Sequence, residues 1–434
     1  MSIVCGNSWG WLLDTCTHID EGLQRCVCFS VGVEKPTYFQ YFFKREYFNI
    51  SKPHVQIQQN TDILTSSIPA KHSNGEGAKI DLRTRKKRKR KQRDLNTGEL
   101  DAHIYHGKIR SVVLEGSQSL LEAGRQCGFL TEALTTPSSE SLPTHECQLA
   151  ALCDMAKQLP LTDESVVAPV QTLNRDGLDP QLDLFSYITE NPFDCAYEVT
   201  LMREKYLLPP RSRFLLSDIT RMHPLVNSGD KFDLIILDPP WENKSVKRSN
   251  RYSSLPSSQL KQLPVPALAA PECLVVTWVT NRAKHLRFIK EELYPYWAVE
   301  VLAEWLWVKV TRTGEFVFPL DSQHKKPYEV LVLGKYRSCT DHTVRCSAVD
   351  ELPEQRLLIS VPSVLHSHKP SLSAVLKPYI SGKPKCLELF ARSLQSDWTS
   401  WGNEVIKFQH SSYFTRERAD DPARTSETVQ KLMD

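Results

Sequence analysis

Apolar and polar positions follow two different rhythms along this chain. From Ser212 onward, short apolar runs are separated by amphipathic segments. The runs at 214–216, Phe232–Leu237, 273–279, 299–310, 329–333, 385–390 and 404–408 predict strands. Residues 257–263, 282–293 and 372–377 predict helices, the last closed by Pro378. Strands alternating with helices predict an α/β domain of Rossmann-like type with a mostly parallel sheet. The run L-I-I-L (234–237) is apolar at four successive positions, as in a strand buried on both faces. It stops at Asp238-Pro239-Pro240-Trp241, where two prolines force the chain out of the sheet.

The first half reads differently. Residues 1–80 are rich in aromatics (Trp9, Trp11, Phe29, Tyr38, Phe39, Tyr41 and others), with strand-like runs such as 26–33. They predict a small N-terminal module ending in a polar stretch. Residues 81–98 are a linker. Residues 99–205 predict a helical middle region, because I-R-S-V-V-L-E-G-S-Q-S-L-L-E-A-G (109–124) carries apolar residues at helical spacing. A Ser/Thr/Pro loop (135–143) and a polar stretch with prolines (162–180) interrupt it, and 182–208 reads as helical again before Pro209-Pro210. This region predicts packing against a neighbour, not chemistry. Residues 206–414 form the α/β domain, and the polar tail 415–434 is expected to be disordered.

Charge adds one feature. The formal net charge of the 434 residues is +3, but R-T-R-K-K-R-K-R-K-Q-R (83–93) holds nine of the 54 Lys and Arg. The other 45 face 51 Asp and Glu, so a mildly acidic body carries one basic tract. Such a tract reads as a nuclear import signal, as a phosphate-binding arm, as both, or as a plain solvated charge run. The twelve cysteines lack the C-x-x-C spacing of a zinc site, and Cys26-x-Cys28 alone is a weak signal, so no metal is predicted. The N-terminus has no cationic region followed by an apolar run, and no stretch reaches membrane-span length. Reduced thiols in an intracellular protein are expected.

The strand end supplies the candidate chemistry. In open α/β sheets ligands bind at the carboxyl edge. An exocyclic amine on a nucleobase is a poor nucleophile, its lone pair being delocalised into the ring. Asp238 and the Pro239 carbonyl can accept its two hydrogens and aim the lone pair at an electrophilic methyl group. Pro240 shapes the turn, and Trp241 is expected to stack on the base.

With these residues in view, the chain resembles the MT-A70 family of adenine N6-methyltransferases over about residues 206–410. D-P-P-W is followed by E-N-K-S-V-K-R-S-N-R-Y-S-S-L (242–255). K-Y-L-L-P-P (205–210), T-W-V-T-N-R (277–282), P-L-D-S-Q-H-K-K-P-Y-E (319–329), L-H-S-H-K-P (365–370), L-E-L-F-A-R (387–392) and W-T-S-W-G-N-E (398–404) also look like one branch of that family. The resemblance implies a Rossmann-like fold using S-adenosyl-L-methionine (AdoMet). It also implies a permuted motif order, since the best cofactor strand, 385–390, follows D-P-P-W. The loop after it is Ala391-Arg392-Ser393, not a glycine-rich turn.

Carried over residue by residue, the resemblance places Asp218 and Ile219 at the cofactor, with Asp218 accepting from its amino acid end. Leu389, Phe390 and Arg392 line the ribose and methionine region, and Asn403 and Glu404 bond the ribose or adenine side. Lys326 resembles a family lysine that bridges cofactor and substrate. Where catalytic relatives carry His-Asn after the arginine, this chain has Leu394-Gln395, which leaves the ribose contacts there open. Glu304 matches a family glutamate of the base pocket; the other reading is a strand-edge charge facing water. His368 either contacts a nucleic acid phosphate or is a loop residue with no role. Asn243, Lys244, Lys247, Arg248 and Arg251 form a basic loop that closes over the cofactor and steers phosphate.

The expected reaction is direct in-line methyl transfer to adenine N6. The branch implies internal 2′-O-methylated adenosine of U2 small nuclear RNA as substrate, giving N6,2′-O-dimethyladenosine. It implies adenine in DNA, including mitochondrial DNA, as a second substrate class. The matching location is the nucleus, with cytosol and mitochondrion beside it; no membrane is expected, and a monomer and a heterodimer both remain open. The rival from another class is a catalytically silent RNA-binding partner. Those lose D-P-P-W, which this chain keeps. Cytosine N4 methylation needs the same amine chemistry, but its motif usually begins with Ser and ends with Tyr.

Overall fold

The computed structural model describes residues 2–28, 37–54, 97–131, 148–159, 170–173, 183–242, 255–322, 325–337 and 350–418. The N-terminal segment holds strands β1 (Ile3–Asn7), β2 (Gly10–Leu13), β3 (Cys26–Cys28) and β4 (Thr37–Phe43). β5 (Val170–Thr172), β6 (Ile188–Glu190), β7 (Ala196–Leu201) and β8 (Glu204–Leu208) lie in the middle. Then come β9 (Arg213–Leu215), β10 (Phe232–Leu237), β11 (Ala269–Val279), β12 (Val299–Lys309) and β13 (Tyr328–Tyr336). β14 (Leu357–Ser360), β15 (Cys386–Leu389), β16 (Trp398–Trp401) and β17 (Phe414–Arg418) complete the described strands. Three helices matter below: α1 (Thr15–Glu21), α2 (Thr97–Gln126) and α3 (Leu149–Ala156). No described helix is long and apolar enough to cross a membrane.

A mixed α/β fold is built on a twelve-stranded sheet in the order β1-β2-β14-β12-β13-β11-β10-β15-β16-β9-β6-β5. At its centre β10 pairs in parallel with β11 and β15, and β15, β16 and β9 continue in parallel. β13 runs antiparallel between β11 and β12. β10 lies between two core clusters. Leu234 and Ile236 pack with Trp278, Trp305 and Trp307 on one face; Ile235 and Leu237 pack on the other, in the cluster that contains Val113 and Leu120 of α2. Continuous apolarity therefore reports burial on both faces, as period-2 geometry requires.

Several expectations need correction. The N-terminal segment does not form a module apart from the α/β sheet: β2 pairs in parallel with β14, extending the large sheet. Gly10 makes this possible, because a Cβ there would lie 1.9 Å from the Leu357 carbonyl oxygen. β3 and β4 join β7, β8 and β17 in a second, five-stranded sheet. The stretch 182–208, read as helical, forms β6, β7 and β8; its spacing of apolar residues suits alternation on half-buried strands as well as a helix turn. The strand expected at 404–408 is instead β16 at Trp398–Trp401, with a 3₁₀ turn at Lys407–Gln409. The start of the tail, expected to be disordered, pairs with β4 as β17. The basic tract 83–93 and the rest of the tail lie outside the described residues.

The helix read from 109–124 does form, as the middle of the thirty-residue α2. It buries Ile109, Val113, Gly116 and Leu120. Gly116 lets it lie close over β14 and the β1–β2 turn: a Cβ there would meet Leu357 Cδ1 at 2.5 Å and Trp9 Cε3 at 3.0 Å.

Candidate active site

β10 and β15 end level with each other, Leu237 beside Leu389, and β11 runs two residues further, so the chains leave these parallel strands at one sheet edge. The Asp238 backbone N–H donates to the Leu389 carbonyl at 3.2 Å, which ties the motif to β15. The turn is closed internally: Trp241 N–H donates to the Pro239 carbonyl (2.8 Å), and Leu255 N–H to the Pro240 carbonyl (3.1 Å). Pro239 thus keeps one of its two oxygen lone pairs for a ligand.

The Asp238 carboxylate is buried and lies between two cations. Arg392 Nη1 is 3.2 Å from Oδ2, and Lys369 Nζ is 3.3 Å from Oδ1. Lys369 also pairs with Glu329 Oε2 at 2.8 Å, and Glu329 pairs with Lys309. On the other side Arg392 Nε faces Glu404 Oε2 at 3.4 Å, and Lys407 Nζ holds Glu404 Oε1 at 2.8 Å. Charges therefore alternate in sign along the edge, each offsetting the desolvation of the next. Burial works against the Glu329 carboxylate, but Lys309 and Lys369 outweigh it and hold its pKa well below the usual range. Burial likewise disfavours the Lys369 ammonium, yet Asp238 and Glu329 raise its pKa and keep it charged. Its Nζ also lies 5.3 Å from the Trp278 ring centre.

Beside this row is a cavity of about 330 Å³, lined by Asp238, Lys369, Glu388, Phe390, Arg392 and Gln395, with α1 contributing to its wall. Burial, with Asp238 adding to it, pushes the Glu388 carboxyl up to about 7, against the opposing pull of Gln395 and Arg392. Phe390 leaves β15 at φ 63°, a left-handed conformation rare for a bulky residue. That turn sends the chain into Ala391-Arg392, and strain of this kind concentrates at functional sites.

The MT-A70 family pattern matches residues 232–404. Mouse N(6)-adenine-specific methyltransferase METTL4 is 51% identical over 381 residues, covering 86% of this chain and 81% of the mouse protein. The chain belongs to the MT-A70 family. The human protein of the same name is 50% identical over equal coverage, so the similarity to the methyltransferase-like protein 4 branch is confirmed. A Caenorhabditis elegans DNA N6-methyl methyltransferase is 37% identical over 217 residues, 49% of this chain and 56% of its own.

Within the family frame, the expected site residues divide. Asp238, Arg392, Phe390 and Glu404 come together around the cavity and its charge row. Leu389 is fully buried and serves as core under the site. Asp218 caps a 3₁₀ turn through Thr220 N–H and pairs with Lys157 Nζ at 2.6 Å, just beyond α3. Burial opposes its ionisation, but Lys157 and Thr220 lower its pKa overall. Ile219 packs against the core, and Asn403 is exposed, its carbonyl accepting from the Cys153 thiol at 3.6 Å. The middle region thus touches this edge through α3.

Trp241, Glu304 and His368 depart from expectation. Trp241 is not an open stacking platform: it is 7% exposed, its Nε1–H donates to the Trp278 carbonyl (2.9 Å), and its ring packs on His285 at 4.6 Å. Glu304 lies in mid-strand, held by the Tyr105 hydroxyl at 3.0 Å and by Lys290. It is five residues back from the β12 end, about 16 Å at strand rise. The edge acid is Glu329. Lys326 donates to the Leu320 carbonyl at 3.2 Å, and the lysine between carboxylates is Lys369. His368 is no phosphate contact. Its ring stacks on Phe408 at 4.2 Å, and burial lowers its pKa to about 3, so it is neutral. Asn243, Lys244, Lys247, Arg248 and Arg251 lie outside the described residues.

Lys369 and Glu329 were legible as letters inside L-H-S-H-K-P and H-K-K-P-Y-E. Nothing in either segment marks which lysine or which glutamate meets Asp238; only strand pairing does.

Proposed function

We propose that this chain transfers a methyl group from AdoMet to N6 of adenine in a nucleic acid. The observation that carries the reading is the Asp238 carboxylate at the end of β10, held between Arg392 and Lys369 at a cavity mouth. The cavity's donor set fits AdoMet. Asp238 and Glu388 suit an ammonium group or ribose hydroxyls, Arg392 suits a carboxylate, and Phe390 offers an apolar face. That the cofactor strand β15 follows β10 in sequence supports the permuted motif order.

AdoMet supplies a methyl group on a sulfonium, which leaves as a neutral thioether. This chain's residues position the acceptor. Asp238 and the remaining lone pair of the Pro239 carbonyl take the two N6 hydrogens, so that the nitrogen lone pair points at the methyl carbon. The C–N bond forms as C–S breaks, and the extra N6 proton then passes to water. Lys369 and Arg392 hold the Asp238 carboxylate in place from both sides, so little reorganisation is needed during transfer. Glu329, bonded to Lys309 and Lys369, holds Lys369 beside Asp238. Trp241 acts as a wall of the turn.

The substrate we propose is internal 2′-O-methyladenosine in U2 small nuclear RNA, with adenine in DNA, including mitochondrial DNA, as a second class. The family-branch resemblance of the sequence motifs suggests the first; the mammalian relatives' names specify adenine N6, and the Caenorhabditis relative's name supports the second. The basic tract 83–93 fits nuclear work. The test is labelled methyl transfer to matched oligonucleotides carrying adenosine, 2′-O-methyladenosine or deoxyadenosine. Preference for the 2′-O-methylated RNA supports the proposal, and preference for deoxyadenosine moves it to DNA. AdoMet binding with no transfer to any of them would favour the silent RNA-binding partner.

A further inference from the structure

The N-terminal helix α1 contributes Thr15, His18, Ile19 and Glu21 to the wall of the cavity that Asp238 also lines. It is firmly anchored. Asp14 caps it through Cys16 N–H (3.0 Å) and Thr17 N–H (3.3 Å), and Asp20 binds Phe43 N–H (2.8 Å) and Arg45 (2.6 Å). From it, His18 Nε2 reaches the side-chain oxygen of Gln395 at 3.2 Å. The same oxygen accepts from Ser371 Oγ (2.6 Å) and Ser373 Oγ (2.9 Å).

The imidazole and both hydroxyls can donate, so this end of the amide takes the oxygen. Its NH₂ group is left toward Glu388, and Gln395 Nε2 donates to Glu388 Oε2 at 3.2 Å. Flipped, the amide would set an oxygen against a carboxylate. Glu388 Oε1 makes no hydrogen bond among the described residues, and Glu388 lines the cavity next to Asp238. A carboxyl held by one oxygen and open at the other is an oriented acceptor.

We propose that Gln395, seated by His18 of α1, is a positioning residue that aims Glu388 at a hydrogen-bond donor of the cofactor, so that the N-terminal helix sets cofactor affinity. The inference rests on reading this cavity as the AdoMet site. The donor is a ribose hydroxyl or the α-ammonium, the two groups of AdoMet that a carboxylate accepts from.

The test is calorimetric titration of the full chain with S-adenosylhomocysteine and, separately, with 5′-methylthioadenosine, which keeps the ribose but lacks the amino acid end. No binding of S-adenosylhomocysteine to the unaltered chain would overturn the cavity reading itself, before any variant is compared. Given binding, Gln395→Ala should weaken it about tenfold, the scale of one hydrogen bond to a charged group. His18→Ala should weaken it by about threefold, and the double variant should match Gln395→Ala alone, because His18 acts through Gln395. His18→Gln, which returns an N–H donor, should recover most of the loss. A methylthioadenosine affinity that falls in the same ratio assigns the donor to the ribose; an unchanged one assigns it to the ammonium. Unchanged affinity in Gln395→Ala, or strictly additive losses in the double variant, would overturn the proposal. Melting temperature without ligand checks folding, and Gln395→Met, close in shape, replaces Gln395→Ala if the smaller side chain unfolds the loop.

Discussion

Lys369 places its ammonium 3.3 Å from Asp238 Oδ1 while holding Glu329 at 2.8 Å, although the three residues come from distant parts of the chain. One buried cation thus serves two carboxylates at the sheet edge. Lys369→Met should lower methyl transfer by at least about a hundredfold, the scale of losing a preorganised charge. Lys369→Arg should not restore it, since a planar guanidinium cannot replace a point charge between two acids. Steady-state kinetics on an adenine oligonucleotide checks both. Near-normal turnover in Lys369→Met would remove this lysine from the mechanism.

The D-P-P-W residues separate into chemistry and scaffold. Asp238→Asn should cost activity on the order of a hundredfold or more with the fold retained. Trp241→Ala empties a buried site and orphans the Trp278 carbonyl, so it should cost about 3–5 kcal/mol of stability. Urea midpoints for the two variants read the difference. Equal midpoints would show that Trp241 is not the wall described above.

Glu388 makes the ligand-free protein pH-sensitive. Its carboxyl is at about 7 when folded, against 4.5 in an unstructured chain. Below 4.5 both states hold the proton, and its contribution is fully present. As pH rises toward 7 the unfolded chain ionises first, so stability falls by about 3 kcal/mol and levels off above 7. Glu388→Gln should flatten that slope in denaturation curves taken from pH 4.5 to 8. Binding of S-adenosylhomocysteine should strengthen over the same rise, because the ionised form is the better acceptor.

The N-terminal strand is a structural part of the catalytic sheet. Gly10→Ala would drive a Cβ into the Leu357 carbonyl and should unpair β2 from β14. Hydrogen exchange would then show lost protection at Leu12 and Ile359, with a lower melting temperature. Unchanged protection would mean that β14 does not depend on β2.

Reading the chain alone located β10, its stop at Asp238, the family and most strands of the α/β domain. These signals are local. An apolar run and two prolines act within a few residues, and the motifs are contiguous. What failed were statements about which side chains meet. Glu304 and Glu329 lie on neighbouring strands, and Lys326 and Lys369 both sit in basic segments. The register of β12 against β13 leaves one acid in mid-strand and brings the other to the edge. The stretch 182–208 and the N-terminal residues were misread for the same reason. Their apolar spacing suits more than one element, and pairing with β9, β3 and β14 chose among them. Sequence by itself determined the strand β10 and the carboxylate at its end. Only the tertiary structure decided which lysine, which glutamate and which helix surround it, because those neighbours are set by packing across the sheet and not by order along the chain.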